Sequence, residues 1–382
     1  MALSKIDVAN MLTGLVPNDN TIRRPNAKPL IINGNMAVAQ KATSVTSLTS
    51  SGAVQTVDRI KNEISNIGTY TVIQESLSSG EAYNNGFRKA WRIDCTSADA
   101  SPAAGDNLYV TYHFEGQDLQ LFKKGTSNAQ KFTLAFWIKS NKTGTGQVNL
   151  RDNDNSRLIG GTYTISSADT WEHKVVNFAA DTTGAFDNDN AGSMDIEWWL
   201  DSGTTYSSGA TPTAWEAFSQ ADRNASGNLQ IARNTANDWA ITGIQLEVGE
   251  FSSTTLPPFQ FEDFGDNKNR CLRYYYRLNP DADAQASIGE ASYYSSSAAF
   301  CCLEFPIAMR DSPSLEQTTG TDYFNLNRNS ANDSFDSFNN LNASDHTSAH
   351  LYISSGISGT AGHGARCRFN DASARLAFSA EL

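Results

Sequence analysis

Residues 131–140 read KFTLAFWIKS, and the alternation inside them decides the fold. Phe132, Leu134, Phe136 and Ile138 fall on one side of an extended chain, and Thr133, Ala135, Trp137 and Lys139 on the other, because successive strand side chains point to opposite faces. This describes a half-buried strand. MDIEWWLDSG (194–203) repeats the pattern, with Met194, Ile196, Trp198 and Leu200 inward and Asp195, Glu197, Trp199 and Asp201 outward. LYVTYHFEG (108–116), TWEHKVVNF (170–178) and WAITGIQLEVG (239–249) behave alike. Between them run turn-rich stretches such as RDNDNSR (151–157), DTTGAFDNDNAGS (181–193) and DSGTTYSSGATPT (201–213). About eight such strands in roughly 190 residues predict a double-sheet jelly roll with long decorated loops.

Composition agrees with an all-β chain. Only 18% of the 382 residues are charged, and small polar residues fill much of the rest, which suits short strands joined by polar turns. The formal charge of −12 leaves no broad basic field for phosphates, so nucleic acid and anionic membrane are poor partners. No apolar run is long enough to cross a bilayer, and the amino terminus lacks the pattern of a signal peptide, so assembly in a cytoplasm is expected. Cys95, Cys271, Cys301, Cys302 and Cys367 lack the paired spacing of zinc or redox motifs. They are expected to be reduced, buried thiols, with Cys301 and Cys302 on opposite faces of one strand.

The strand pattern begins near residue 68. Before it, residues 1–67 read as an attachment arm and linker, and PNDNTIRRPNAKP (17–29), with three prolines in thirteen residues, is expected to run extended over a partner's surface. The jelly roll is assigned to 68–262. TTLPPFQFEDFGDNKNR (254–270) breaks the alternation with adjacent prolines and marks the boundary. From 263 to 382, CLRYYYRL, SYYSSSAAFCCLEF, LYISSG, ARCRFN and ARLAFSAEL predict a smaller β-sandwich. Its sparse aliphatic content suggests that partner chains, as in a homotrimer, complete its core.

Signatures of catalysis are missing: the chain has no GxSxG elbow, P-loop, HExxH or GxGxxG. A binding or structural protein rather than an enzyme is therefore expected, although carboxylate pairs of the glycosidase type carry no local signature. His346 and His350 in SDHTSAHLY, with His363 nearby, would share a helical face, but in a strand they stand ~13 Å apart and cannot chelate one ion. Asp152 with Asp154, and Asp187 with Asp189, resemble calcium-holding loops, although the first lacks the EF-hand glycine at the sixth position and neither ends in the bidentate glutamate, and the bland alternative is solvated acidic turns. Seven tryptophans and thirteen tyrosines offer flat faces on which sugar rings stack. Trp199, flanked by Glu197 and Asp201 on the outward face, and Tyr206 and Trp215, beside the Gly- and Ser-rich loop, are the candidate contacts; packing beneath loops is the alternative.

PLIINGNMAVAQKATSVTS (29–47) resembles the start of the folded part of marine phage tail-fibre proteins. FTLAFWIKS, TWEHKVVNF, ITGIQLEVG, CLRYY, FPIAMRDSPSL and ARLAFSAEL follow in the order seen in that group, so the likeness spans about residues 29–382. It implies a carbohydrate-binding-module-like jelly roll in a trimeric virion protein. Such a protein is anchored to tail or capsid by its amino-terminal arm and presents its sandwiches to host surface polysaccharide or lipopolysaccharide. Gln245 and Glu247 of the QLEVG strand match the group's framework and could face a binding groove or serve structure. Two other readings stand beside this one: an architectural decoration or adaptor protein, and a polysaccharide depolymerase.

Overall fold

The computed structural model describes residues 28–50, 54–225, 229–329 and 331–382. It is nearly all β, and among the described residues no helix is long and apolar enough to cross a membrane. The first unit contains β1 (Ser44–Ser50), β2 (Lys61–Ser76), β3 (Lys89–Ser97), β4 (Asn107–Glu115), β5 (Phe132–Lys139), β6 (Gly144–Asp152), β7 (Arg157–Ile165), β8 (Glu172–Phe178), β9 (Gly192–Ser202), β10 (Glu216–Ala217) and β11 (Asp238–Val248). These strands hydrogen-bond in the order β10-β7-β6-β9-β4-β2-β3-β11-β5-β8, with β1 along β2.

β2 turns this ribbon into a sandwich. Its first half, Lys61 to Ser65, pairs with β4, and its second half, Thr69 to Ser76, pairs with β3. A strand that changes partners midway makes the corner between two packed layers. The bend falls at Gly68, with φ +78°, where a Cβ would lie 2.6 Å from the Ser97 carbonyl oxygen. One layer is thus β10-β7-β6-β9-β4, the other β3-β11-β5-β8, and their inner faces form the core. Phe136 of β5 meets Trp198 of β9 edge to face at 5.8 Å, and Trp91 meets Trp239 at 6.1 Å. The parity read from FTLAFWIKS and MDIEWWLDSG holds: Phe132, Leu134, Phe136, Ile138, Met194, Ile196, Trp198 and Leu200 all enter this core.

Two expectations are corrected. Residues 29–67 are not a free-standing arm, because Ile31, Met36, Val57, Ile60, Ile64 and Ile67 are buried in the sandwich core. The IINGNM turn explains why. Asn33 accepts from Val38 N–H and donates to the carbonyls of Val38 and Asp58, while the Gly34 carbonyl accepts from Ile244 N–H. A Cβ on Gly34 would sit 2.3 Å from the Ile244 carbonyl oxygen, so this turn locks onto β11 only as glycine. The proline-rich stretch expected to dock on a partner falls almost wholly among residues 1–27, outside the described residues.

Second, the outward face of β4, β6 and β9 is not exposed. Every residue from Ser193 to Ser202 is buried, including Asp195, Glu197, Trp199 and Asp201. The segment 203–225 folds back as a roof over this face, its Asp222 and Arg223 carbonyls accepting from Gln147 and Asn149 of β6.

Beyond a short helix α1 (Phe264–Leu272), the second unit contains β12 (Tyr275–Leu278), β13 (Ser287–Tyr293), β14 (Ala299–Glu304), β15 (Ser314–Gln317), β16 (Phe324–Arg328), β17 (Ala331–Phe335), β18 (Asn340–Ser344), β19 (Ser348–Ile353), β20 (Gly364–Phe369) and β21 (Leu376–Ser379). A three-stranded sheet, β12-β21-β15, and a seven-stranded one, β17-β16-β20-β13-β14-β19-β18, enclose a core rich in phenylalanine: Phe305, Phe324, Phe335, Phe338, Phe369 and Phe378. These rings pack with Leu278, Ile288, Leu303, Leu326, Leu351, Ile353, Ile357 and Leu376, so a core forms within one chain, which removes the packing argument for a trimer. The junction between units is built, not loose. Arg59 pairs with Glu381, donates to the His113 carbonyl and lies 3.5 Å over the Tyr274 ring; Arg273 forks onto Glu115.

Candidate functional site

The structure moves the expected aromatic contacts inside. Trp199 is fully buried: it stacks on Tyr109 at 4.5 Å, lies 5.2 Å from Tyr206, and donates its indole N–H to Glu197. Arg223, from the roof, lies 4.6 Å over the Trp199 ring and forks onto the same Glu197 carboxylate. A paired charge can be buried where a lone one cannot, which is why a face read as solvent-facing carries a roof instead. Tyr206, half-buried, accepts from Asn107 through its hydroxyl and belongs to this cluster. Trp215 is only 9% exposed and donates to the Ala179 carbonyl within the main core.

The acidic runs are internally satisfied. Asp152 is fully buried, and the Lys124 ammonium occupies the place expected for a cation, reaching Asp152, Asp181 and the carbonyls of Thr183 and Gly184. Burial would raise the Asp181 carboxyl, but hydrogen bonds from Arg157, Thr183 and Lys124 bring it below its ordinary range. Asp154 accepts from Asp187 N–H and so ties the two acidic loops together, whereas Asp189 accepts from Ala191 N–H within one turn. Among the described residues no three His, Cys, Asp or Glu side chains converge to hold a metal. His350 lies on β19, whereas His346 and His363 lie outside the strands. The five thiols are free; four are buried, but Cys302 is exposed, on the face of β14 opposite Cys301.

Gln245 and Glu247 lie on the outer face of β11. Gln245 is buried and holds a loop in place: its amide donates to the Pro257 carbonyl and to Glu247. That loop makes the groove that sequence reasoning missed, a cleft of about 450 Å³ over the outer face of β5, β8 and β11. Trp137 of β5 and its cross-strand partner His173 of β8 lie ring to ring at 5.0 Å and form one wall. The other wall is a triangle of Phe87, Phe259 and Phe261 with centroid separations of 4.8–5.0 Å. Phe261 is 49% exposed.

The groove depends on a bulge. β11 loses register with β5 between Thr242 and Gln245, where Gly243 adopts φ +63°. A Cβ there would lie 2.6 Å from Phe87 and 2.9 Å from Trp137, so glycine lets the two aromatic walls approach. Asn85 and Ser253 add polar groups at the rim, and burial together with the Lys174 charge depresses the His173 pKa, so the imidazole is neutral at pH 7 and can donate or accept. Such a site can stack a ring face and hydrogen-bond its edge, but it presents no acid and base pair. The signal existed in the sequence. Trp137 stands on the outward face of KFTLAFWIKS, and Phe259 and Phe261 alternate after the Pro257–Pro258 pair, in a segment read only as a boundary.

No family model matches the chain, and no curated protein does. Solved structures similar to it include the enzymatically active domain of tailspike protein 4 of bacteriophage CBA120, at 10% identity, covering 58% of this chain and 21% of that one, TM-score 0.29. The family 11 carbohydrate-binding module of a Clostridium thermocellum cellulosomal cellulase matches at 9% identity over 56% of this chain and 98% of its own, TM-score 0.26. The module TmCBM61, in complex with β-1,4-galactotriose, matches at 7% identity over 58% and 99%, TM-score 0.26. The chain therefore spans about a fifth of the tailspike domain, and at TM-scores this low the likenesses carry no weight for ligand or activity.

Proposed function

We propose that this chain is a fibre or appendage protein of a tailed-phage virion that binds host-surface glycan, without cleaving it, in the groove between Trp137 and Phe261. In the virion it is a homotrimer attached through residues preceding the first sandwich, and avidity over several copies compensates for weak single sites. The observation that carries the glycan reading is the groove itself: an exposed Phe261 and a half-buried Trp137 beside neutral polar groups, on a sheet to which Gln245 ties the loop at Pro257. Flat apolar faces with a few convergent polar atoms suit sugar rings, which present C–H faces and hydroxyl edges. The virion assignment rests on the order of framework strings from residue 29 onward.

The test is a glycan array, or binding to isolated host envelope, with the purified full chain. Phe261→Ala and Trp137→Ala each remove an anchor of the type that contributes about 2 kcal/mol, so binding falls roughly 30-fold while circular dichroism stays that of the parent. Background binding by the parent chain, or full binding by both folded variants, refutes the assignment. Polysaccharide incubated with the chain is expected to gain no reducing ends; their release makes it a depolymerase instead.

A further inference from the structure

A second cleft, of about 710 Å³, lies between the two units, where residues 37–43, α1 and β12 meet. The chain carries −12 overall, yet Lys41, Lys268, Arg277 and Arg375 line this cleft and no aspartate or glutamate does. Lys41 is paired with Glu316 at 2.9 Å. Among the described residues, Lys268, Arg277 and Arg375 have no carboxylate partner. Arg277 donates from one guanidinium nitrogen to the carbonyls of Gln40 and Lys41, but its Nε is buried with no hydrogen-bond acceptor. Burial and the nearby Arg375 charge both depress the Arg277 pKa, against a smaller opposing effect from Tyr275. An unpaired buried donor beside clustered cations is costly unless an anion completes it.

The lining is not purely cationic. Phe264, 59% exposed, and half-buried Tyr276 offer ring faces along the same cleft. The volume falls within the ~300–1,000 Å³ usual for small-ligand clefts, enough for a short oligosaccharide. A nucleic acid would bring many phosphates to a chain of net charge −12, whereas a single acidic sugar needs only the local field. We infer that this cleft is a second sugar site, selective for a carboxylated or sulfated saccharide whose anionic group sits against Arg277 and Arg375 while its ring lies on Phe264. The inference rests on the glycan-binding reading and names a substrate class for it. The segment FQFEDF (259–264) would then serve both sites, with Phe261 in the neutral groove and Phe264 in the cationic cleft.

Titration calorimetry on the full chain tests this with oligogalacturonate, a sulfated galactan oligosaccharide and a neutral oligosaccharide chosen from the array. At low salt at least one acidic probe is expected to bind tenfold or more tightly than the neutral one, and raising salt erases the difference. Lys268→Gln with Arg375→Gln removes that preference but leaves neutral-sugar binding intact, whereas Phe261→Ala does the reverse. Arg375→Lys, which keeps the charge, retains the preference and controls for folding. Equal affinity for acidic and neutral probes, acidic binding that survives the double variant, or displacement by an oligonucleotide or by sulfate as effectively as by the acidic sugar overturns the inference while the groove stands. Failure of every sugar to bind overturns both.

Discussion

Replacing Lys124 tests whether charge burial is as tightly balanced in this fold as its geometry implies. The ammonium is fully buried and is shared by Asp152, also fully buried, and Asp181, 4% exposed. Asp181 keeps Arg157, but Asp152 keeps only the amide N–H donors of Asn155. Lys124→Met therefore strands a carboxylate in the interior, a change that costs about 3–5 kcal/mol. For a unit of this size, that corresponds to a drop of roughly 6–20 °C in melting temperature. Trp215 lies 5.0 Å from the ammonium, so tryptophan fluorescence during thermal unfolding reports the event locally. Adding Asp152→Asn removes the stranded charge, and at least half of the loss returns. In Lys124→Ala, millimolar calcium also restores part of it, because two carboxylates and the carbonyls of Thr183 and Gly184 then ring an open space. A shift below about 3 °C in Lys124→Met, roughly 1 kcal/mol, refutes the reasoning.

Three further outcomes are expected. Burial pushes the Asp58 carboxyl from 3.8 to about 7, against the opposing hydrogen bonds from Gln40, so the folded state holds this proton more tightly than the unfolded chain. Its contribution to stability is complete below pH 3.8 and lost as the pH rises toward 7; Asp58→Asn flattens that fall in denaturant titrations, and an unchanged pH profile counts against it. Arg223→Met removes the fork onto buried Glu197, which keeps Arg151 at 3.7 Å and the Trp199 indole, and lowers stability by about 1.5–3 kcal/mol, with faster proteolysis within 203–225; equal protease resistance argues against the roof. Gly243→Ala forces a left-handed residue into the walls of the groove and weakens glycan binding tenfold or more, and an unaffected affinity would show that the bulge does not shape the site.

The sequence was most legible where a rule of period two operates. Alternation in KFTLAFWIKS and MDIEWWLDSG identified which side chains enter the core, and the density of turns identified an all-β chain of two sandwiches. IINGNM could be singled out as a string, but its function as a clasp required knowing that β11 bulges beside it. Cys301 and Cys302 took opposite faces because neighbours in a strand must.

Alternation sorts residues into two faces, yet it cannot say what covers the second one. Trp199 lies on the face that parity assigns it, and a roof of polar composition covers it because Arg223, 26 residues along the chain from Glu197, supplies the counter-charge. In the same way Lys124 fills the place of a cation beside Asp152, 28 residues away. The aromatic groove draws Phe87, Trp137, His173 and Phe261 from four distant segments, and the cationic cleft joins residues 41, 268, 277 and 375. Local periodicity determined the strands, their parity and the class of fold. Which exposed surface exists at all was decided only by tertiary structure, because burial and charge pairing depend on contacts between segments that the order of residues along the chain does not reveal.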